Sequence, residues 1–322
     1  MNCIQRLAAL CAFAMATALA PAAASEPANV KASLERDAVC TKCHDETDAK
    51  PILSIYQSRH GVKADERTPT CQSCHGESDR HVKGDGSGKR AKPDVSFAAR
   101  GGSAAHEQSQ ACLNCHREAR RLHWSGSAHE RDDMSCSTCH TLHAPRDRMV
   151  DRTTQAQVCF TCHKEQRAQV HRISTHPIDA GKVACGDCHN PHGSSGPKLL
   201  VGNTVNEVCF TCHAEKRGPF LWEHQPAADD CTNCHTPHGS NTAPLLKARL
   251  PFLCEECHQD HGSSLKSIAS IAGGPGAPAG NAATPAATFG KYLTVQGNGR
   301  MCLNCHVMVH GSNTPNGAKF NR

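Results

Sequence analysis

The chain is short of bulky aromatic side chains. Its 322 residues include 8 Phe, 2 Trp and 2 Tyr. A soluble chain of this length normally builds one or two domains around an apolar core. With 25 Gly and 18 Pro as well, the side chains alone lack the bulk for such a core. Some other group must supply apolar volume. Methionine is scarce too, at six residues, which excludes a methionine-rich ligand set. Long apolar runs are also missing after the N-terminus, which excludes a transmembrane helix. The one apolar run, "LAALCAFAMATALA", follows Arg6 and precedes "PAAAS". It is too short to span a bilayer as a helix. It reads as a secretory signal peptide over 1–24, cut after Ala24. Leu10 before Cys11 does not suit a lipoprotein anchor. The mature chain, 25–322, is expected to be exported.

Cysteine and histidine are abundant, at 22 and 23 residues. Cys3 and Cys11 leave with the signal. The others form ten C-x-x-C pairs: Cys40 and Cys43, Cys71 and Cys74, Cys112 and Cys115, Cys136 and Cys139, Cys159 and Cys162, Cys185 and Cys188, Cys209 and Cys212, Cys231 and Cys234, Cys254 and Cys257, Cys302 and Cys305. A histidine follows every pair: His44, His75, His116, His140, His163, His189, His213, His235, His258 and His306. Zinc ribbons, iron–sulfur sites, redox dithiols and disulfides all use paired cysteines. None needs a histidine directly after the second one. Attachment of c-type haem does. Two sulfurs form thioethers to the haem vinyl groups and the histidine binds iron. On one helical turn, residues i, i+3 and i+4 share a face, so the porphyrin lies against the turn. Ten haems c would provide the missing apolar volume.

Each iron then needs a sixth ligand. Only Met134, Met149, Met301 and Met308 survive signal removal, too few for ten sites. Thirteen histidines remain outside the motifs, and the chain's repeats sort them. "VCFTCHKEQRAQVHRISTHPIDAGKVACGDCHNPHGS" matches "VCFTCHAEKRGPFLWEHQPAADDCTNCHTPHGS". Each holds a CxxCH, a lone histidine, a second CxxCH, and another histidine three residues later. This pattern selects His60 and His81, His129 and His143, His176 and His192, His224 and His238, and His261 and His310 as distal ligands. His106, His123 and His171 are left as surface histidines, with His106 an alternative to His81. His238 cannot reach the iron held by His235, because axial ligands lie on opposite sides of the metal. It is expected to serve the other haem of its own unit. Two-histidine ligation also implies low potential and no open iron position.

The expected fold is a multihaem cytochrome c, mostly coil with short α-helices around an extended linear array of ten covalently bound haems. It forms one elongated domain of five two-haem units, about 40–81, 112–143, 159–192, 209–238 and 254–310. A helix is expected over 165–170. Residues 263–300, rich in Gly, Ala and Pro, read as a flexible spacer. The formal charge of +5 misleads. Signal loss and about twenty haem propionates, partly offset by ferric iron, bring the oxidised protein near about −6. The basic residues therefore balance propionates and do not form a nucleic-acid patch.

With "CHNPHGS", "CHAEKRGPFLWEH", "CHTPHGS" and "CLNCHVMVHGSNTPNG", the mature chain resembles the periplasmic decahaem cytochromes of the MtrA/DmsE type, including their MtoA and PioA relatives. It departs from them in the long spacer before Cys302. The resemblance implies bis-histidine ligation at all ten haems. It also implies insertion into an outer-membrane β-barrel porin of the MtrB/PioB type. Periplasmic or inner-membrane cytochromes would be further partners, and an extracellular multihaem cytochrome could be another. Electrons would pass between periplasmic carriers and outside donors or acceptors, in metal oxide reduction or Fe(II) oxidation. Ten haems in stacking contact extend at least about 40–60 Å, enough for a bilayer of about 40–45 Å. The alternatives are a free periplasmic electron shuttle and, less favoured, a multihaem reductase. The latter would need an iron with an open position.

Overall fold

A computed structural model describes residues 28–48, 50–61, 68–258, 302–304, 306–315 and 317–320. The signal peptide, His261, Cys305 and the spacer at 263–300 lie outside these residues. The described chain forms two compact units. One comprises 28–96 with 143–145, and the other 97–142 with the residues from 146 onward. Among the described residues there are short helices and isolated β-bridges but no strand ladder. No described helix is long and apolar enough to cross a membrane.

Apart from Ala28–Thr41 and Ala105–Leu113 the helices are short, and several of them are the haem-attachment motif itself, one turn long. The motif histidine's amide donates to the first cysteine's carbonyl four residues back: His44 to Cys40 at 3.1 Å, His140 to Cys136 at 2.9 Å, His189 to Cys185 at 2.9 Å, His235 to Cys231 at 3.0 Å. Five other motifs make the same bond, at His116, His163, His213, His258 and His306. The turn then ends. His140 (φ −95°, ψ 134°) and His189 (φ −115°, ψ 144°) are already extended. The expected helix over 165–170 is present as Lys164–Val170.

Within a repeat, the two motifs pack together. The first cysteines meet, thiol to thiol, at Cys40 and Cys71, Cys112 and Cys136, Cys159 and Cys185, Cys209 and Cys231, and Cys254 and Cys302. A polar side chain three or four residues before the first cysteine holds four of these pairs. Asp37 accepts from the Cys71 amide at 2.8 Å and from the Tyr56 hydroxyl at 2.8 Å. Gln108 accepts from Ser135 and Ser137. Gln155 accepts from the Gly186 amide at 2.8 Å. Asn206 accepts from the Cys231 amide at 2.7 Å and donates to the carbonyls of Ala227 and Ala228. Buried Asn206 thus satisfies three backbone groups that would otherwise lack partners. Replacing Asn206 with Ala should destabilise the protein by about 3 kcal/mol, at roughly 1 kcal/mol per orphaned group. Chemical denaturation followed at the Soret band checks this, and a change below about 1 kcal/mol would refute the latch.

Apolar packing is thin. The described core is Ala156, Phe160 and Val170, with Ile178 and Cys185 against it. Buried polar side chains, such as Asp37, Asn190, Asn206 and Ser312, are as prominent as buried apolar ones. Hydrogen bonds and whatever lies against the motifs therefore set much of the geometry.

Candidate haem-binding histidine pairs

Eight motif histidines each face one extra histidine. The ring centroids are 6.0 Å apart in His44–His81, 6.2 Å in His75–His143, 6.2 Å in His163–His129 and 6.1 Å in His140–His192. They are 6.4 Å apart in His213–His176, 6.0 Å in His189–His238, 6.1 Å in His258–His224 and 6.2 Å in His235–His310. The interplanar angle runs from 9° to 81° while the separation stays at 6.0–6.4 Å. Direct ring contact would couple tilt to distance, so this constancy fits a spacer of fixed thickness. A metal with a nitrogen about 2 Å away on each side, plus a ring radius of about 1 Å per histidine, gives roughly the same 6 Å. The donor set therefore fits an iron between each pair. His81, and not His106, stands opposite His44.

The ring nitrogens agree. Nδ1 lies within hydrogen-bond distance of a backbone carbonyl in His75 (Val95, 2.9 Å), His81 (Ala91, 2.7 Å), His143 (Ile52, 2.9 Å) and His189 (Lys198, 3.0 Å). The same holds for His129 (Pro191, 2.8 Å), His176 (Pro237, 2.9 Å), His224 (Val309, 2.8 Å), His235 (Pro244, 2.9 Å) and His306 (Lys319, 2.6 Å). A carbonyl can only accept, so Nδ1 carries the proton and Nε2 keeps its lone pair for a metal. Burial also pushes the pKa of His75, His235, His238 and His310 down and that of His192 to about 4. They stay neutral, as metal ligands must.

His238 overturns the expectation that it serves the other haem of its own unit. Its ring faces His189 of the preceding repeat. Two contacts send it there. After His235 the chain returns beside its own motif, with Lys247 donating to the Cys234 carbonyl and Thr236 to the Leu245 carbonyl. The following Ser240 exchanges two amide hydrogen bonds with Ser174, at 2.8 and 3.0 Å. The "HGS" of one repeat is thus stitched to the previous one, and Ser312 does the same with Trp222 at 2.8 and 2.9 Å. His143, His192 and His310 likewise face the second motif of the repeat before their own. The lone histidines do the reverse: His129, His176 and His224 face the first motif of the next repeat. Among these eight pairs, only His81 faces a motif of its own repeat.

Glycine makes the close approach possible. A Cβ on Gly239 (φ +138°) would sit 2.1 Å from the Gln169 carbonyl oxygen, and one on Gly193 (φ +104°) 2.0 Å from that of His123. The three leftover histidines, His106, His123 and His171, are exposed.

The polar latches, and one carboxylate, are features that residue types in the motifs do not announce. Asp147 lies 2.5 Å from Nδ1 of His140, and also accepts from the Met149 amide at 3.0 Å. Burial raises its pKa, but the hydrogen bonds from His140 and Met149 prevail and hold the carboxyl below its usual range. Opposite His140, the buried Nδ1 of His192 has no hydrogen-bond partner among the described residues, and the ring sits edge-on to Trp124.

A family model for a doubled CXXCH motif matches residues 176–218 and 224–263, each window opening on a lone histidine. A model for NrfB-like cytochrome c-type proteins matches 71–154. The chain is similar to the multiheme cytochrome MtrA of Shewanella baltica, at 34% identity over 88% of this chain and 80% of that protein. Motif turns, facing histidine pairs and extended similarity converge, and the chain belongs to the MtrA family of multihaem electron-transfer cytochromes.

Proposed function

We propose that this protein carries electrons across the outer membrane inside a β-barrel porin, using ten covalently bound haems c. The observation that carries this reading is the exchange of histidines between repeats. Covalently bound haem supplies one-electron redox chemistry at each motif. The chain's own residues supply the rest. The cysteine pairs fix the porphyrin edges, and their contact within each repeat holds two sites side by side. The twenty histidines proposed from the sequence fill both axial positions, so no iron is left open for a substrate. Reciprocal clasps tie the second repeat to the third, the third to the fourth and the fourth to the fifth, which suits through-conduction better than catalysis at one site. The polar exterior cannot face lipid, so a sheath of the MtrB/PioB type is required. Export by the 1–24 signal peptide would deliver the chain to the periplasmic side. Periplasmic or inner-membrane cytochromes and an extracellular partner would complete the circuit.

Liposomes enclosing a redox dye test the proposal. Dye bleaching by an external reductant should require both this cytochrome and the porin. Bleaching with the cytochrome alone, or none with the pair, would reject the conduit.

A further inference from the structure

We infer that Asp147 is a positioning residue that lowers the reduction potential of the haem attached at Cys136 and Cys139. This rests on the proposed ligation of that iron by His140 and His192. The carboxylate lies 2.5 Å from Nδ1 of His140. Nearly every other facing ring with a hydrogen-bonded Nδ1 is backed by a neutral backbone carbonyl. Among the described contacts, two other facing rings have a carboxylate near Nδ1, both at more exposed sites: His44, 3.1 Å from Asp48, and His213, 3.9 Å from Glu215 and beyond hydrogen-bond distance. Asp147 is better shielded: its side chain is 18% exposed, against 36% for Asp48. It is also fixed in place, because Oδ1 accepts from the Met149 amide while Oδ2 faces His140.

A full negative charge accepting from Nδ1–H pushes electron density through the ring onto Nε2. A stronger donor stabilises ferric over ferrous iron, so adding one electron becomes less favourable. No proton need leave. Among the described residues no carboxylate or carbonyl backs Nδ1 of His192, so nothing comparable acts on the opposite ligand. One iron within the series thus acquires an asymmetric, electron-rich ligand pair.

The test uses the full holoprotein carrying Asp147→Asn or Asp147→Glu. Haem content, ferric spin state by EPR and a spectroelectrochemical titration are measured together. With Asp147→Asn, ten low-spin haems should persist. About one-tenth of the optical amplitude should move up by at least about tenfold in its reduction equilibrium, or 59 mV for a one-electron couple. With Asp147→Glu, which keeps the charge, that amplitude should stay near its original position. An unmoved curve in Asp147→Asn, equal shifts in both variants, or a new high-spin haem would overturn the inference. If Asp147→Asn fails to load ten haems, EPR-monitored titration of the unaltered protein decides. A low-spin component of about one haem, with narrowed g spread, must be reduced below the midpoint of the array; its absence overturns the inference. His192→Ala separates this from the ligation reading. It should make one haem high-spin, and if it does not, the ligand assignment itself has failed.

Discussion

Replacing His238 with Ala should make one haem high-spin, and that haem should be the one attached at Cys185 and Cys188, not the one beside His238 in sequence. The ring of His238 faces His189 at 6.0 Å, while His235 faces His310 at 6.2 Å. All ten haems should stay bound, because the thioethers do not depend on the sixth ligand. The ferric EPR spectrum should gain a high-spin signal of about one-tenth of the total spin. Carbon monoxide should bind the reduced protein at the same stoichiometry. Locating the affected haem takes a second substitution. If Cys185 and Cys188 are also changed to Ala, nine haems remain and the high-spin signal should vanish. If Cys231 and Cys234 are changed instead, the signal should persist. The opposite outcome would return His238 to its own repeat and sink the clasp.

The chemistry of this protein was legible in the sequence to an unusual degree, and its connectivity was not. Each CxxCH motif points to its own proposed ligand because covalent attachment demands fixed spacing. Repeats then pick out the extra histidines by position. What a repeat cannot supply is direction. His238 lies the same sequence distance from His235 whichever neighbour it serves. The decision is made by Ser240 pairing with Ser174, sixty-six positions upstream, and no local periodicity encodes that. The latches were hidden for another reason. Asp37, Gln108, Gln155 and Asn206 differ in identity and shift between three and four residues from the cysteine. Only their shared task, satisfying the start of the partner motif, relates them. Asp147 is hidden likewise, seven residues beyond His140 in a basic stretch, "APRDRM".

These long-range choices give the array its mechanical character. In most repeats both extra histidines leave home, one forward and one back. Under the proposed ligation, adjacent repeats from the second onward would share two irons, and neither site could relax alone. Pro237 illustrates the coupling. Its carbonyl accepts from Nδ1 of His176, and His176 faces His213. The next residue, His238, faces His189. One short turn thus orients two of the histidines proposed as ligands, each for a different haem.

A substitution in that turn should consequently cost two irons their ligands, where His238→Ala costs one. Gly239→Val is the sharpest case. The backbone there has φ +138°, and a Cβ would fall 2.1 Å from the Gln169 carbonyl oxygen. A side chain faces a strain of about 1–3 kcal/mol from the dihedral and about 1–3 kcal/mol from overpacking. The Gln169 carbonyl belongs to the backbone at the end of the Lys164–Val170 helix, so it cannot swing away as a side chain would. The turn must lift off, breaking both Ser174–Ser240 hydrogen bonds and withdrawing Pro237 from His176. His238 and His176 should then both lose their irons. The expected result is ten bound haems, a high-spin EPR signal of about two-tenths of the total spin, and a lower thermal transition at the Soret band. A signal equal to that of His238→Ala would mean that His176 holds its site without the clasp. No high-spin signal at all would mean that the repeats are not tied together at this glycine.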